Sequence, residues 1–392
     1  MKRSQNLILA AGLLAGGAAR AAIFTVGGDP ACTHETAQQG IDAAEAAVGA
    51  DTVRLTRSLT YSAQNLVINT GQHLNLVGGF ADCTAAGDGV KTTLSGAGGA
   101  TEPVLRITGG TGSIIKLRHL TISGGDEDGG GHGGGIRYLG NGILEIIEST
   151  VSNNLAGYGG GIYAEGTGTD AELTISNDVV VSSNTARYSG GGVYADKIEM
   201  SMRAPNSILF GNTALGLDGS GYGGGLVILG HDLSSYAYIG SGVSGLGAIY
   251  GNEARYGGGV AVVADDPGDS SRESVLQLYT TDAARPASIR GNFASVAGGG
   301  IFVRSHEGGV VDGTFAIAEL YNASLVDNAS PAGAAVYVAA SADPWIDAHV
   351  GRRRQVGVRG DRSEVALDHG HGRIGLEVAG HGEDRVVRRV VR

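Results

Sequence analysis

Cysteine is scarce, with only Cys32 and Cys83 in 392 residues, so at most one intrachain disulfide is available. Basic charge is short in the body: residues 1 to 350 carry 18 basic and 33 acidic side chains, against 10 and 6 in residues 351 to 392. An acidic body argues against nucleic acid as a partner. Helix signals are nearly missing, and beyond the first twenty-odd residues no segment is apolar enough to span a bilayer.

The opening segment reads differently from the rest. Met1, Lys2 and Arg3 lead into an apolar stretch from Leu7 to Ala15 and then a small-residue zone, the pattern of a secretory signal peptide. Ala19 and Ala21 stand at the spacing a signal peptidase prefers, which predicts cleavage after Ala21 and an exported chain. In an exported chain the two cysteines are expected to pair, closing a loop worth about 4 kcal/mol in the chain-entropy model.

Glycine is the abundant residue, 70 in all, and it is clustered rather than scattered. Self-comparison finds six copies of one pattern: an apolar residue, two variable residues, Asn, a variable residue, a small residue, then a glycine cluster. The asparagines are Asn154, Asn184, Asn212, Asn252, Asn292 and Asn328. Val151, Val181, Leu209, Ile249, Ile289 and Leu325 precede them by three positions. Downstream, the glycines run into Ile162, Val193, Leu226, Val260, Ile301 and Val336.

Intervals of 28 to 40 residues with strand-like runs between turns specify a solenoid, one coil per interval, the longer ones carrying loop insertions. The expected fold is all-β, a right-handed single-stranded parallel β-helix in which equivalent residues of successive coils stack about 4.8 Å apart. The asparagines should then point inward as a structural ladder, spending their amides on turn backbone and on one another. Alternation sends Ile162 and Ala164 inward and Tyr163 outward.

The domain plan follows. Residues 1–21 form the signal peptide, 22–50 an N-terminal cap, 51–345 the β-helix, and 346–392 a basic tail. Within the cap, Thr36-x-x-Gln39 resembles a capping box; Ile41, Ala44 and Val48 share a helical face, with Gly49 as the stop. Such a helix would lid the open first coil, and a Cys32–Cys83 bridge would pin it there. After Pro344-Trp345 the pattern stops, and the ten arginines that follow read either as a disordered tail or as a shift of reading frame.

The alternation of Gly-Gly-Gly-(Ile/Val/Leu) with apolar-x-x-Asn, over about residues 120 to 340, resembles the repeats of polymorphic outer-membrane proteins. More broadly it resembles bacterial surface β-helices of the pectin-lyase-like superfamily. It has Gly where the polymorphic repeats usually carry Ala, and Val, Leu or Ile where they usually carry Phe. The resemblance implies a secreted or outer-membrane-surface passenger without a transmembrane helix. It also brings in polysaccharide lyases and hydrolases, which share the fold.

The chemistry those enzymes need is thinly represented. Asp126 and Asp128, with His132 nearby, are weak candidates for a calcium ion, against the simpler reading of a solvated acidic loop. Asp265-Asp266 reads as a turn. Trp345-Ile346-Asp347-Ala348-His349 and Gly370-His371-Gly372 carry no functional weight. Two aromatic columns are expected on the outside: Tyr158, Tyr188, Tyr222 and Tyr256, stacking along one edge, and Tyr163, Tyr194, Phe302 and Tyr337. They suit a sugar ring or a partner protein, or simply brace neighbouring coils. The expected role is non-enzymatic adhesion or recognition of an extracellular glycan or cell-surface protein, the alternative a polysaccharide lyase or glycoside hydrolase. No catalytic residue is assigned.

Overall fold

The computed structural model describes residues 21–96, 102–127, 130–202, 206–230, 233–240, 248–264, 273–279, 287–305, 315–321 and 323–339, with five short strands between 349 and 390. Residues 1–20, Asp128, Asp265-Asp266, Trp345 and Gly370-His371-Gly372 lie outside the described residues. Within them the chain is an all-β parallel solenoid with one helix.

One coil shows how the repeat builds it. Ile162–Gly166, Glu172–Ser176, Val180–Ser182 and Thr185–Ser189 follow one another around the axis. The next coil lies on them in parallel register, with Ile162 opposite Val193, Leu173 opposite Met200, Val181 opposite Leu209 and Ala186 opposite Ala214. Repetition produces three long faces and a five-stranded sheet at one corner. The apolar residues named from the repeat are sealed inside, Val151, Val181, Leu209, Ile249 and Ile289 at 0% exposure. Each fully buried side chain of this kind contributes about 1.5–3 kcal/mol.

Extra length goes where the strands are not. The 40-residue interval from Asn212 to Asn252 keeps the same four strand positions as its shorter neighbour, and its surplus falls between Ala214 and Leu226, between Leu229 and Tyr236 and between Ile239 and Ala248.

The corner before the five-stranded sheet explains the asparagines. The residue ahead of each one takes a positive φ, as at Ser183 (55°) and Asp327 (53°), which turns the chain and drives the Asn side chain inward. Asn154, Asn184, Asn212, Asn252 and Asn292 are buried. Each Nδ2 donates to the Oδ1 of the next: 2.9 Å from Asn154 to Asn184, 3.0 to Asn212, 3.0 to Asn252, 2.9 to Asn292 and 2.9 to Asn328. The other Nδ2 proton goes to a backbone carbonyl of the preceding coil, such as Val181 for Asn212 at 3.0 Å. The backbone N–H of each Asn also donates to the next Oδ1. An interior amide therefore makes four bonds and leaves nothing unsatisfied.

The glycine triplet interlocks with this ladder. Gly159 sits at φ 62°, a conformation that favours glycine. Gly161 has ordinary φ, but a Cβ there would meet Gly192 O at 2.7 Å and Asn184 Nδ2 at 2.8 Å. The third glycine is thus the space into which the next coil's asparagine fits.

At the N-terminal end, Ala37–Ala46 is a helix with a reciprocal Thr36–Gln39 capping box, and it buries Ala37, Gly40, Ile41 and Ala44. Val48 is not on its buried face: the helix ends at Ala46, and Val48 is 70% exposed. The helix also finishes a sheet edge. Gln38 exchanges two hydrogen bonds with the Val67 backbone, and Glu45 accepts from Asn69 N at 2.6 Å, covering the unpaired side of Leu66–Thr70. Ile23–Val26, inside the expected cap, already pairs in parallel with Ala50–Thr56 as the outermost strand of the first face. Cys32 and Cys83 form a disulfide, 51 residues apart in sequence. Strands His349–Arg352, Gly357–Arg359 and Val365–Leu367 pair onto the three faces at the other end.

Candidate functional site

The five-stranded sheet and the ten-stranded face meet at the glycine triplets, and their outer surfaces form an angle there. A residue just before the triplet and one just after its apolar partner line the angle on either side, and the ring contacts across it run to the following coil, as His132 to Tyr163, Tyr158 to Tyr194 and Tyr256 to Phe302. In successive coils these pairs are His132 and Arg137, Tyr158 and Tyr163, Ser189 and Tyr194, Tyr222 and Val227, Tyr256 and Ala261, Ala297 and Phe302, Ala332 and Tyr337.

This register differs from the expected tyrosine column. Tyr158 lies opposite Ser189, not Tyr188, because the strand after Asn184 holds one residue more than that after Asn154, and the pairing shifts there. The single stack expected for Tyr158, Tyr188, Tyr222 and Tyr256 is two clusters. In the first, Tyr158 meets Tyr188 at 5.0 Å and Tyr194 at 5.5 Å between ring centroids, while Tyr163 stacks on Tyr194 at 5.3 Å. His132 completes it, 4.3 Å from Tyr163 and 5.5 Å from Tyr158. In the second, Tyr222, Tyr256 and Tyr337 surround Phe302.

The two clusters are chemically unlike. Around Phe302, with Ala261, Val263 and Ala297, the angle is filled as a small satellite core. Phe302 is itself buried, although its side chain points away from the main core. Arg304 donates to the Tyr222 hydroxyl at its margin. This cluster braces coils. Around Tyr163 the rings are flanked by an acid–base pair, where those around Phe302 carry the arginines Arg255 and Arg304. Tyr163 is 5% exposed beneath its neighbours, while Tyr158, Tyr188, Tyr194 and His132 are half-buried.

The polar groups beside them come from the strand of Tyr163 itself and from the coil after it. The Tyr163 hydroxyl donates to Glu165 Oε2 at 3.0 Å, and Lys197 Nζ donates to Glu165 Oε1 at 2.6 Å. Burial alone would raise the Glu165 carboxyl, but the Lys197 and Tyr163 hydrogen bonds win and hold it below its usual range. Burial pushes the Tyr163 phenol upward, with Glu165 and Asp196 adding to it. His132 is pulled below its ordinary value by burial and by Arg137, Glu165 opposing. At neutral pH the site therefore holds a neutral imidazole, neutral phenols and one ion pair. The Tyr158 hydroxyl reaches Asp218 Oδ2 at 3.5 Å, in a loop where Leu217 is 69% exposed.

Such a surface offers flat apolar rings with hydrogen-bonding groups at their rims, a combination that grips a planar or ring-shaped polar ligand. Its Glu165 carboxylate is engaged by Lys197. Asp126 is exposed and bridges to Leu155 in the next coil, and among the described residues no group of three or more His, Cys, Asp or Glu could hold a metal. His132, Glu165 and Lys197 were not assigned from sequence as site residues. Counting back from Gly133, as Tyr158 counts back from Gly159, would have placed His132 in the column. No protein-family model, curated protein or solved structure matches the chain, which leaves its own geometry as the ground for a functional reading.

Proposed function

We propose that this is an exported recognition protein, secreted or displayed at a bacterial outer surface, that binds an extracellular glycan in the angle lined by His132, Tyr158, Tyr163, Tyr188 and Tyr194. The observation that carries the reading is that His132, Tyr158, Tyr188 and Tyr194 stand half-buried around Tyr163, whose hydroxyl meets the Glu165–Lys197 pair, whereas the rings around Phe302 pack on a small apolar core of Ala261, Val263 and Ala297. Arginines edge the second cluster, Arg304 at Tyr222 and Arg255 over Tyr256, whereas the first is edged by a carboxylate–ammonium pair that offers a ligand both an acceptor and a donor. The signal-peptide pattern of residues 1–21 and the resemblance to outer-membrane and pectin-lyase-like repeats support an extracellular setting.

Titration with neutral and acidic oligosaccharides, followed by tyrosine fluorescence and calorimetry, tests it. Tyr188→Ala and Tyr194→Ala remove half-exposed rings and should each weaken binding about 5- to 150-fold, at about 1–3 kcal/mol per stacked ring by analogy with base stacking. Tyr337→Ala, in the other cluster, should leave affinity unchanged. Equal affinity in all three variants overturns the assignment. Shortened saccharide products would move the reading to polysaccharide cleavage.

A further inference from the structure

We propose that the Ala21–Ala22 peptide bond is a processing site and that the α-ammonium group released at Ala22 is captured by the buried carboxylate of Asp51. The proposal rests on the reading of the chain as exported and goes beyond it in assigning a structural role to the new terminus.

Asp51 belongs to Ala50–Thr56, the first long strand of the solenoid, and is 1% exposed. Its Oδ1 accepts from Ala22 N at 2.6 Å. Its Oδ2 is equally buried and has no hydrogen-bond partner. A buried carboxylate with one oxygen unserved is costly, because it has given up water without a full replacement. Among the described residues, what reaches it is a peptide nitrogen with a single proton to give.

Hydrolysis changes that nitrogen and little else. Water adds to the Ala21 carbonyl carbon, the C–N bond breaks, and Ala21 leaves as a carboxylate with the leader. The Ala22 nitrogen keeps the bonding pair and takes up protons, becoming an ammonium group below its ordinary pKa of about 8. It then brings three donors and a full positive charge to a carboxylate that now receives one N–H.

The nitrogen is held from the side that stays. Thr52 N donates to Ala22 O at 2.9 Å, and Ile23 lies opposite Thr52 at the start of the parallel pairing that runs to Val26. Ala21 is exposed, so the bond lies at the surface. Ala19 and Ala21 are the small residues that a signal peptidase reads, and the carboxylate waits one residue beyond.

The test compares the chain beginning at Ala22 with a free amine and the same chain Nα-acetylated, each also carrying Asp51→Asn. The free amine should favour folding at least about tenfold over the acetylated form in denaturant titration, and Asp51→Asn should abolish the difference. Equal stability of the free and acetylated chains overturns the capture, as does a difference that persists without the carboxylate. The acetylation comparison needs no substitution, so it stands even if Asp51→Asn does not fold. Mass spectrometry of the exported product should find Ala22 as its first residue. Another first residue overturns the processing site, whereas a chain that keeps Met1 and stays inside the cell sinks the export reading instead.

Discussion

Replacing Asn212 by Ala is the sharpest probe of the ladder. The wild-type amide is completely buried, accepts from Asn184 N at 3.1 Å and Asn184 Nδ2 at 3.0 Å, and donates to Val181 O and Asn252 Oδ1. Alanine removes all four at once. The Asn184 backbone N–H loses the acceptor it faces, and Asn184 Nδ2 keeps only Val151 O. Asn252 Oδ1 keeps only the Asn212 backbone N–H. One fully orphaned buried donor costs about 1–3 kcal/mol, and the three half-served groups together add a comparable amount. The expected loss is about 3–5 kcal/mol. Asn328 is the terminal rung and half-buried; Asn328→Ala takes the acceptor from Asn292 N–H but leaves no following rung unserved, so it should cost less, about 2–3 kcal/mol. Urea unfolding followed by circular dichroism gives both values, and hydrogen exchange at the Asn184 amide reports the orphaned donor directly. A loss for Asn212→Ala no larger than for Asn328→Ala would refute the reasoning.

Further outcomes are expected elsewhere. Gly251→Ala and Gly259→Ala separate two reasons for glycine: the first has φ 62° and open space, the second meets Gly300 O at 2.6 Å and Asn292 Nδ2 at 3.0 Å. Gly251→Ala should cost about 1–2 kcal/mol and Gly259→Ala clearly more, a ranking that thermal denaturation checks. Opening the Cys32–Cys83 bridge should destabilise the N-terminal coils by up to about 4 kcal/mol, since it closes a loop of 51 residues; unchanged proteolysis of residues 22–96 after reduction would contradict this. Burial, together with Arg137, holds His132 below its ordinary value. Neutral His132 therefore contributes stability that is fully present above about pH 6.5 and lost as pH falls through the lower folded value. The melting temperature should drop between pH 7 and 5, and His132→Gln should flatten that drop; an equally steep profile in the variant would count against it.

The architecture was legible because its causes repeat. An apolar residue three positions before an asparagine means little once, but six copies carry both the inward column and its amide ladder. Single-copy features were harder. The tyrosine column was counted from the asparagines, and one extra residue between Asn184 and Gly190 put Ser189, not Tyr188, opposite Tyr158. Val48 fits the helical period of Ile41 and Ala44, yet no capping signal at Ala46 warned that the helix stops short of it. Glu165 and Lys197 lie 32 residues apart and meet only because Glu165 pairs with Asp196, a register that no local pattern states. The partners of Gln38 and Glu45 are equally remote, because what they satisfy is the edge of a strand rather than a side chain.

The asparagine ladder is also a vector. In all five links the amide nitrogen points toward the following coil and the oxygen toward the preceding one, so the side-chain dipoles add along the solenoid axis instead of cancelling. At the N-terminal end that row is met by the Gly125 N–H, which donates to Asn154 Oδ1 at 2.9 Å. A column of this kind distinguishes its two ends electrically, as an α-helix does. Coils added by duplication would have to face the same way as their neighbours, because a reversed one would set oxygen against oxygen in the interior.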